Sequence, residues 1–174
     1  MIRPILIHPE PRLRKSCALV ETIDEATRRL VDDMLATMYD APGIGLAAPQ
    51  LGVLKRVVVM DCANRDEGEP ADPIALLNPE VVAASDETAT YNEGCLSIPE
   101  IYADVTRPAS VRVRFLTPEG VEEERDFDGL RATCVQHEID HLNGRLFIDY
   151  LGMARRQLIT QKMKKLKRER ARAV

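Results

Sequence analysis

Residues His137-Glu138-Ile139-Asp140-His141 place two imidazoles four positions apart, with a carboxylate beside the first. On an α-helix, residues four apart lie one turn above each other, about 6 Å along the axis. Both rings can then converge on one metal ion, and the glutamate can reach water held there. The pattern fixes three of five positions, so a purely structural histidine pair would satisfy it too. A helix also supplies only two ligands, and zinc or iron usually needs a third.

Two cysteines compete for that place. Cys134 lies on the same helix face but seven residues from His141, about 10.5 Å of rise. Metal–ligand bonds span only about 2.0–2.3 Å, so one straight helix does not easily bring all three to one ion. Cys134 is better placed as a small wall beside the site. Cys95 sits in the tight turn Glu93-Gly94-Cys95-Leu96-Ser97 and can approach from another element. Cys95, His137 and His141 would leave the fourth position open, which marks a catalytic rather than a structural site. An inert buried thiol is nonetheless the commoner fate of a cysteine.

The elements that must position these groups can be read around them. Asp128 suits an N-cap and Gly144 a C-terminal stop, which predicts a helix over 129–143 with Leu130, Thr133, Cys134, His137 and His141 on one face. Upstream, Thr22 and Glu25 have capping-box spacing. Leu30, Val31, Met34, Leu35 and Met38 then recur at helical spacing opposite Arg28, Arg29, Asp32 and Asp33, until Pro42 ends the helix. The loop Gly43-Ile44-Gly45-Leu46-Ala47-Ala48-Pro49-Gln50 lacks the G-x-G-x-x-G spacing of a dinucleotide site. It reads as a helix-to-strand connection, or as a site loop with Gln50 as amide donor. Strands are expected at Lys55–Cys62 and Ile74–Val82, and a hairpin at 111–127. A final helix starts near Met153, with Leu158, Met163 and Leu166 among its basic residues. The order is α+β: mostly antiparallel sheets around the H-E-x-x-H helix, with an N-terminal and a C-terminal helix.

Composition bounds the rest. Hydrophobic residues make up 45% and charged residues 30% of 174, which suits one domain over 1–174. No apolar run approaches membrane-spanning length and the first residues lack a signal-peptide core, so a cytoplasmic protein without a membrane partner is expected. Four scattered cysteines read as core thiols or metal ligands. The net charge of −4 hides an asymmetry: residues 153–174 hold nine Lys/Arg and one acid, and the remainder fifteen against twenty-seven. A basic tail on an acidic body suits a polyanionic partner, although a solvated basic helix is the plainer reading.

Taken together, Gly43–Gln50 (GIGLAAPQ), Glu93–Ser97 (EGCLS) and Gln136–His141 (QHEIDH) resemble the three signature motifs of peptide deformylase, in order and at that family's spacing. The opening Ile5–Leu13 is similar too, and the basic tail resembles the bacterial form. The resemblance implies removal of the formyl group from formyl-methionyl nascent peptides, with release of formate. It implies metal ligands Cys95, His137 and His141, an acid/base Glu138, and oxyanion donors at the Gln50 side chain and the Leu96 backbone N–H. It places the substrate backbone along Gly43-Ile44-Gly45 and Gly94, as an added strand. It implies a methionine pocket involving Ile44, Glu93, Leu130, Thr133, Cys134 and His137. Tyr102 stands where many bacterial members carry a substrate-contacting arginine, and Tyr91, Arg131 and Thr133 also depart from the usual residues. The tail would dock on the ribosome near the exit tunnel; no DNA partner is implied.

The residue types suit that chemistry independently. A divalent ion lowers the pKa of bound water, giving hydroxide near neutrality to attack the formyl carbon. Glu138 can take the proton and pass it to the leaving amine. Gly45 leaves room for the substrate backbone. One thiolate and two imidazoles suit Zn2+, Fe2+, Co2+ or Ni2+, and the resemblance implies Fe2+ in the cell. Two rivals remain. A peptide-bond metalloprotease explains H-E-x-x-H but neither Cys95 nor the Gly43–Gln50 loop. A non-enzymatic ribosome- or RNA-binding module explains the tail but leaves Glu138 unused.

Overall fold

In the computed structural model, which describes residues 1–173, the first helix is α1, Glu25–Asp40. Its N-cap is Asp24 rather than Thr22, because the Asp24 carboxylate reaches the Thr27 N–H at 2.9 Å. Leu30, Val31, Met34 and Met38 are buried as the periodicity requires. Asp33, expected on the wet side, is buried as well. The Met1 amine and the Arg3 guanidinium each pair with it at 2.6 Å, which compensates its charge and pins the N-terminal segment to α1.

Seven strands follow: β1 Gly45–Ala47, β2 Val57–Met60, β3 Ile74–Ala84, β4 Thr88–Cys95, β5 Ile98–Pro108, β6 Ser110–Leu116 and β7 Glu122–Asp128. Five form an antiparallel sheet in the order β1-β2-β3-β6-β7. Strands β4 and β5 make a separate hairpin. The helix α2, Gly129–Leu142, and the terminal α3, Met153–Arg172, complete the chain. The α+β reading holds.

The two faces of β2 explain why it is apolar at every position. Val57 and Val59 pack with α1, while Val58 and Met60 pack with Ala132, Val135, Ile139 and Leu142 of α2. The five-stranded sheet therefore lies between α1 and α2, and α2 is held over one face by its apolar stripe. A third cluster joins the hairpin to α3, through Ala103 and Val105 of β5 and Ile159 and Met163 of α3.

Strand β5 is absent from the sequence reading. Cys95 pairs with Ile98 but Gly94 pairs with Tyr102, so Pro99, Glu100 and Ile101 stand outside the ladder. Glu100 has φ of 65°, a left-handed conformation that a non-glycine residue adopts at a cost. This bulge and Pro108 conceal the alternation beyond it, in which Ala103, Val105 and Arg107 turn inward. On α3, Ile159 packs inward in place of Leu158, which is exposed. None of the described helices is long and apolar enough to cross a membrane.

His8 fastens the entry segment to α3 by a 2.8 Å bond from Nε2 to Thr160 Oγ1. Burial, with the positive charge of Arg14 adding to it, pushes its pKa down from 6.5 to about 4. Between those values only the unfolded chain takes up the proton, so this contribution to stability is full above pH 6.5 and fades as the pH falls towards 4. His8→Asn has no such group. Urea unfolding of both proteins from pH 7.5 to 4 should show wild type losing stability relative to the variant across that window.

Candidate active site

Helix α2 sets His137 and His141 one turn apart on a buried face, with Glu138 also buried beside them. The hairpin brings the third group. Leu96-Ser97 is a two-residue turn closing β4 onto β5, and Cys95 is the last residue before it. The donor atoms of Cys95, His137 and His141 all lie within 4.8 Å of one another. Cys95 Sγ is 3.4 Å from His141 Nε2. These are a soft sulfur and two imidazole nitrogens drawn from two elements, a set that suits zinc or a first-row transition metal.

Hydrogen bonds around the cluster fix its atoms. His137 Nδ1 lies 2.9 Å from Glu93 Oε1, so its Nδ1–H is engaged and Nε2 is the nitrogen left to offer a metal. The buried His141 Nδ1 and Glu138 Oε2 have no hydrogen-bond partner among the described residues. Burial pushes the Glu138 carboxyl up from 4.5 to about 7, only partly offset by His137. Burial likewise lowers His141, reinforced by the His137 cation. For His137, burial opposes the charge, but the hydrogen bonds to Cys95 and Glu93 outweigh it and raise the pKa.

Cys134 lies outside the donor cluster. Its Sγ faces the Ile44 carbonyl at 3.6 Å, and a hydrogen bond to Cys62, then burial, hold it as a neutral thiol. Gln50 is buried, with Oε1 accepting from the Ala47 N–H at 2.9 Å. Its Nε2 donates to Ser97 Oγ at 3.0 Å and points to Cys95 Sγ at 3.6 Å, so the amide stands beside the cluster. The Leu96 N–H belongs to the turn and takes no place in the ladder.

A groove of about 810 Å³ reaches Cys95, Leu96, His137 and Glu138, while Gln50 and His141 lie behind its lining. One wall is Gly43, Ile44 and Gly45 with β1, and the other is Tyr91 to Leu96 with β4. The buried Thr133, Cys134, His137 and Glu138 line its depth, and the exposed Leu130 and Tyr102 its rim. Glu93 lines it too, with its carboxylate turned back towards Arg107 and His137. Gly45 is needed for a reason beyond substrate room: a Cβ there would sit 2.8 Å from Glu138 Oε1 and 2.9 Å from Cys134 Sγ. At Gly94 a Cβ would meet the Tyr102 ring at 2.6 Å.

Four residues around the site escaped the sequence reading: Ser97, Arg107, Asp140 and Tyr150. Arg107 lies on β5, beyond the bulge. Its signal was there, since alternation through Ala103 and Val105 puts an arginine on the core face, where it must have an anionic partner.

An α+β chain with a buried Cys-His-His cluster beside a carboxylate, at the foot of a groove between two strand edges, defines a class of proteins able to hold a metal at a peptide-sized cleft. The comparisons narrow it. A sequence model of the polypeptide deformylase family matches residues 2–157. Peptide deformylase of Rhizobium meliloti is 52% identical over 169 residues, 97% of this chain and 96% of that protein. The Ehrlichia chaffeensis peptide deformylase crystal structure superposes with a TM-score of 0.93 at 37% identity, covering 98% of this chain and 99% of that one. A class I type b peptide deformylase from Acinetobacter baumannii, crystallised with Met-Ala-Ser bound, gives 0.81 at 36% identity, covering 87% and 99%. The chain belongs to the polypeptide deformylase family, enzymes that remove N-terminal formyl groups.

Gly45→Ala should fold but be destabilised by about 1–3 kcal/mol, the usual cost of overpacking, as its methyl displaces Glu138 and Cys134. Urea denaturation with unchanged far-ultraviolet circular dichroism would show it.

Proposed function

We propose that the chain, acting as one catalytic unit, hydrolyses the formyl amide of formyl-methionyl nascent peptides in the cytoplasm and releases formate. The observation that carries this reading is the convergence of Cys95, His137 and His141 beside a buried Glu138 with a free carboxylate oxygen. Those three residues would hold a divalent ion, Fe2+ in the cell, with Zn2+, Ni2+ and Co2+ also suited to the donors. When bound, the ion supplies Lewis acidity that lowers the pKa of water near neutrality and polarises the formyl oxygen.

The chain's own groups would do the rest. Glu138, held near pH 7 by its surroundings, accepts a proton from the attacking water and delivers it to the departing amine. The Leu96 N–H and the Gln50 Nε2–H face the oxygen as it gains charge. The backbone of Gly43-Ile44-Gly45 on one side and Gly94 on the other pairs with the peptide, as an added strand does. The hollow over Thr133 and Cys134, with Leu130 at its edge, takes the methionine side chain. Met-Ala-Ser bound to the Acinetobacter protein has the form of a product of this reaction.

The exposed basic residues of α3, among them Lys162, Lys164, Lys165 and Arg168, would face ribosomal polyanion near the exit tunnel. Because Ile159 and Met163 are buried, removal of α3 would uncover the core, and charge reversal is the cleaner test. Changing Lys164, Lys165 and Arg168 to Glu should abolish salt-sensitive cosedimentation with ribosomes and leave turnover of short peptides intact. Unchanged cosedimentation would refute the docking reading.

Formate release from formyl-Met-Ala-Ser, by anaerobically purified iron protein or its nickel form, tests the reaction. Blocked peptides without a formyl group should not be cleaved. Glu138→Gln should retain metal and lose about 10²–10⁴ in kcat. Gln50→Ala should lose about 10²–10³ with the fold preserved. A fully metallated protein that releases no formate would overturn the proposal.

A further inference from the structure

Arg107 is the one arginine of the described chain with almost no exposure beside the candidate metal cluster, at 4%. It touches none of the donor atoms. Its Nε and Nη2 donate to Glu93 Oε2 and Oε1 at 2.7 and 3.0 Å, a bidentate fork. Glu93 Oε1 is the atom that also meets His137 Nδ1, at 2.9 Å. On its other side, Arg107 Nη1 donates to Asp140 Oδ2 at 2.9 Å. The Tyr150 hydroxyl donates to the same Asp140 oxygen at 2.8 Å, and the Arg107 guanidinium lies over the Tyr150 ring, 4.7 Å from its centroid. Arg145 stacks on that ring too, at 5.0 Å. One line of contacts therefore runs from Tyr150, just before α3, through Arg107 and Glu93 to His137.

We propose that Arg107, clamped by Asp140 and Tyr150, is a positioning residue that fixes the orientation of His137 by holding the Glu93 carboxylate in place. Without the fork nothing holds the Glu93 carboxylate at this angle, and a carboxylate that turns away releases the His137 Nδ1–H. The ring would then be free to rotate and to carry Nε2 away from Cys95 and His141. Lysine cannot replace the fork, because its single ammonium meets one oxygen at a time. Asp140 gains a role here as well: it ties α2 to the hairpin from the position before His141.

This inference rests on the Cys95–His137–His141 reading, and a binding measurement separates the two. Zn2+ affinity is read by competition with a chromophoric chelator, on folded apoprotein. If wild type binds no zinc, the site reading fails. If wild type binds, Arg107→Met should weaken binding 10–100-fold, the usual cost of losing an outer-shell partner, with Arg107→Lys in between. Tyr150→Phe keeps both ring stacks and loses one hydroxyl. It should weaken binding several-fold in the wild-type background and no further in Arg107→Met. That non-additivity is something a merely structural role would not give. Unchanged zinc affinity in Arg107→Met overturns the proposal. Should that variant not fold, unchanged affinity in Tyr150→Phe overturns it equally.

Discussion

The site depends on a tie between two elements that share no backbone hydrogen bonds. Helix α2 can offer two imidazoles to one point and no more, since its rise carries every other side chain away. The sulfur has to come from the β4–β5 hairpin, which belongs to a different sheet. Arg107 bridges the gap, with Glu93 from its own hairpin and Asp140 from α2 as counter-ions. Its buried charge is costly to leave unpaired, so both carboxylates are held at fixed positions around it. Apolar contact between Ala103, Val105 and the residues around Phe147 supports the hairpin from below, but it lacks the directionality that sets a sulfur against two nitrogens.

The same logic accounts for the crowding around Glu138. Gly45 brings the backbone of β1 against the carboxylate, and Cys134, held neutral, closes the remaining side. A charged wall there would shift the carboxylate's proton affinity, and a larger one would occupy the groove. Small, uncharged neighbours leave burial as the dominant influence on Glu138, which keeps its proton affinity close to neutrality.

Much of this was legible in the chain. Period-3.6 apolar residues marked α1, the Asp128 and Gly144 boundary signals marked α2, and helix geometry set Cys134 apart and favoured Cys95. The α+β order followed from the sequence of patterns. What stayed hidden has local causes. The bulge at Pro99–Ile101 breaks the alternation of β5 and hides the inward face on which Arg107 lies. Asp33 read as solvent-facing because its partners, the Met1 amine and Arg3, lie thirty residues away in sequence and carry no periodic signal. Leu158 and Ile159 are adjacent apolar residues on a mostly charged helix, and only packing against β5 chooses between them. Ser97, which holds the Gln50 amide, looked like an ordinary turn residue.

The groove lies between two strand edges that the fold leaves open. β1 ends the five-stranded sheet and β4 borders the hairpin, and they face each other across the cavity. An extended peptide laid there would fuse both sheets into one continuous eight-stranded surface, with the guest as its sixth member. Such a guest would be held by its amides and carbonyls, which every polypeptide carries alike. A cleft that held its guest in this way would leave any choice between peptides to the side chains that line it, not to the pairing itself.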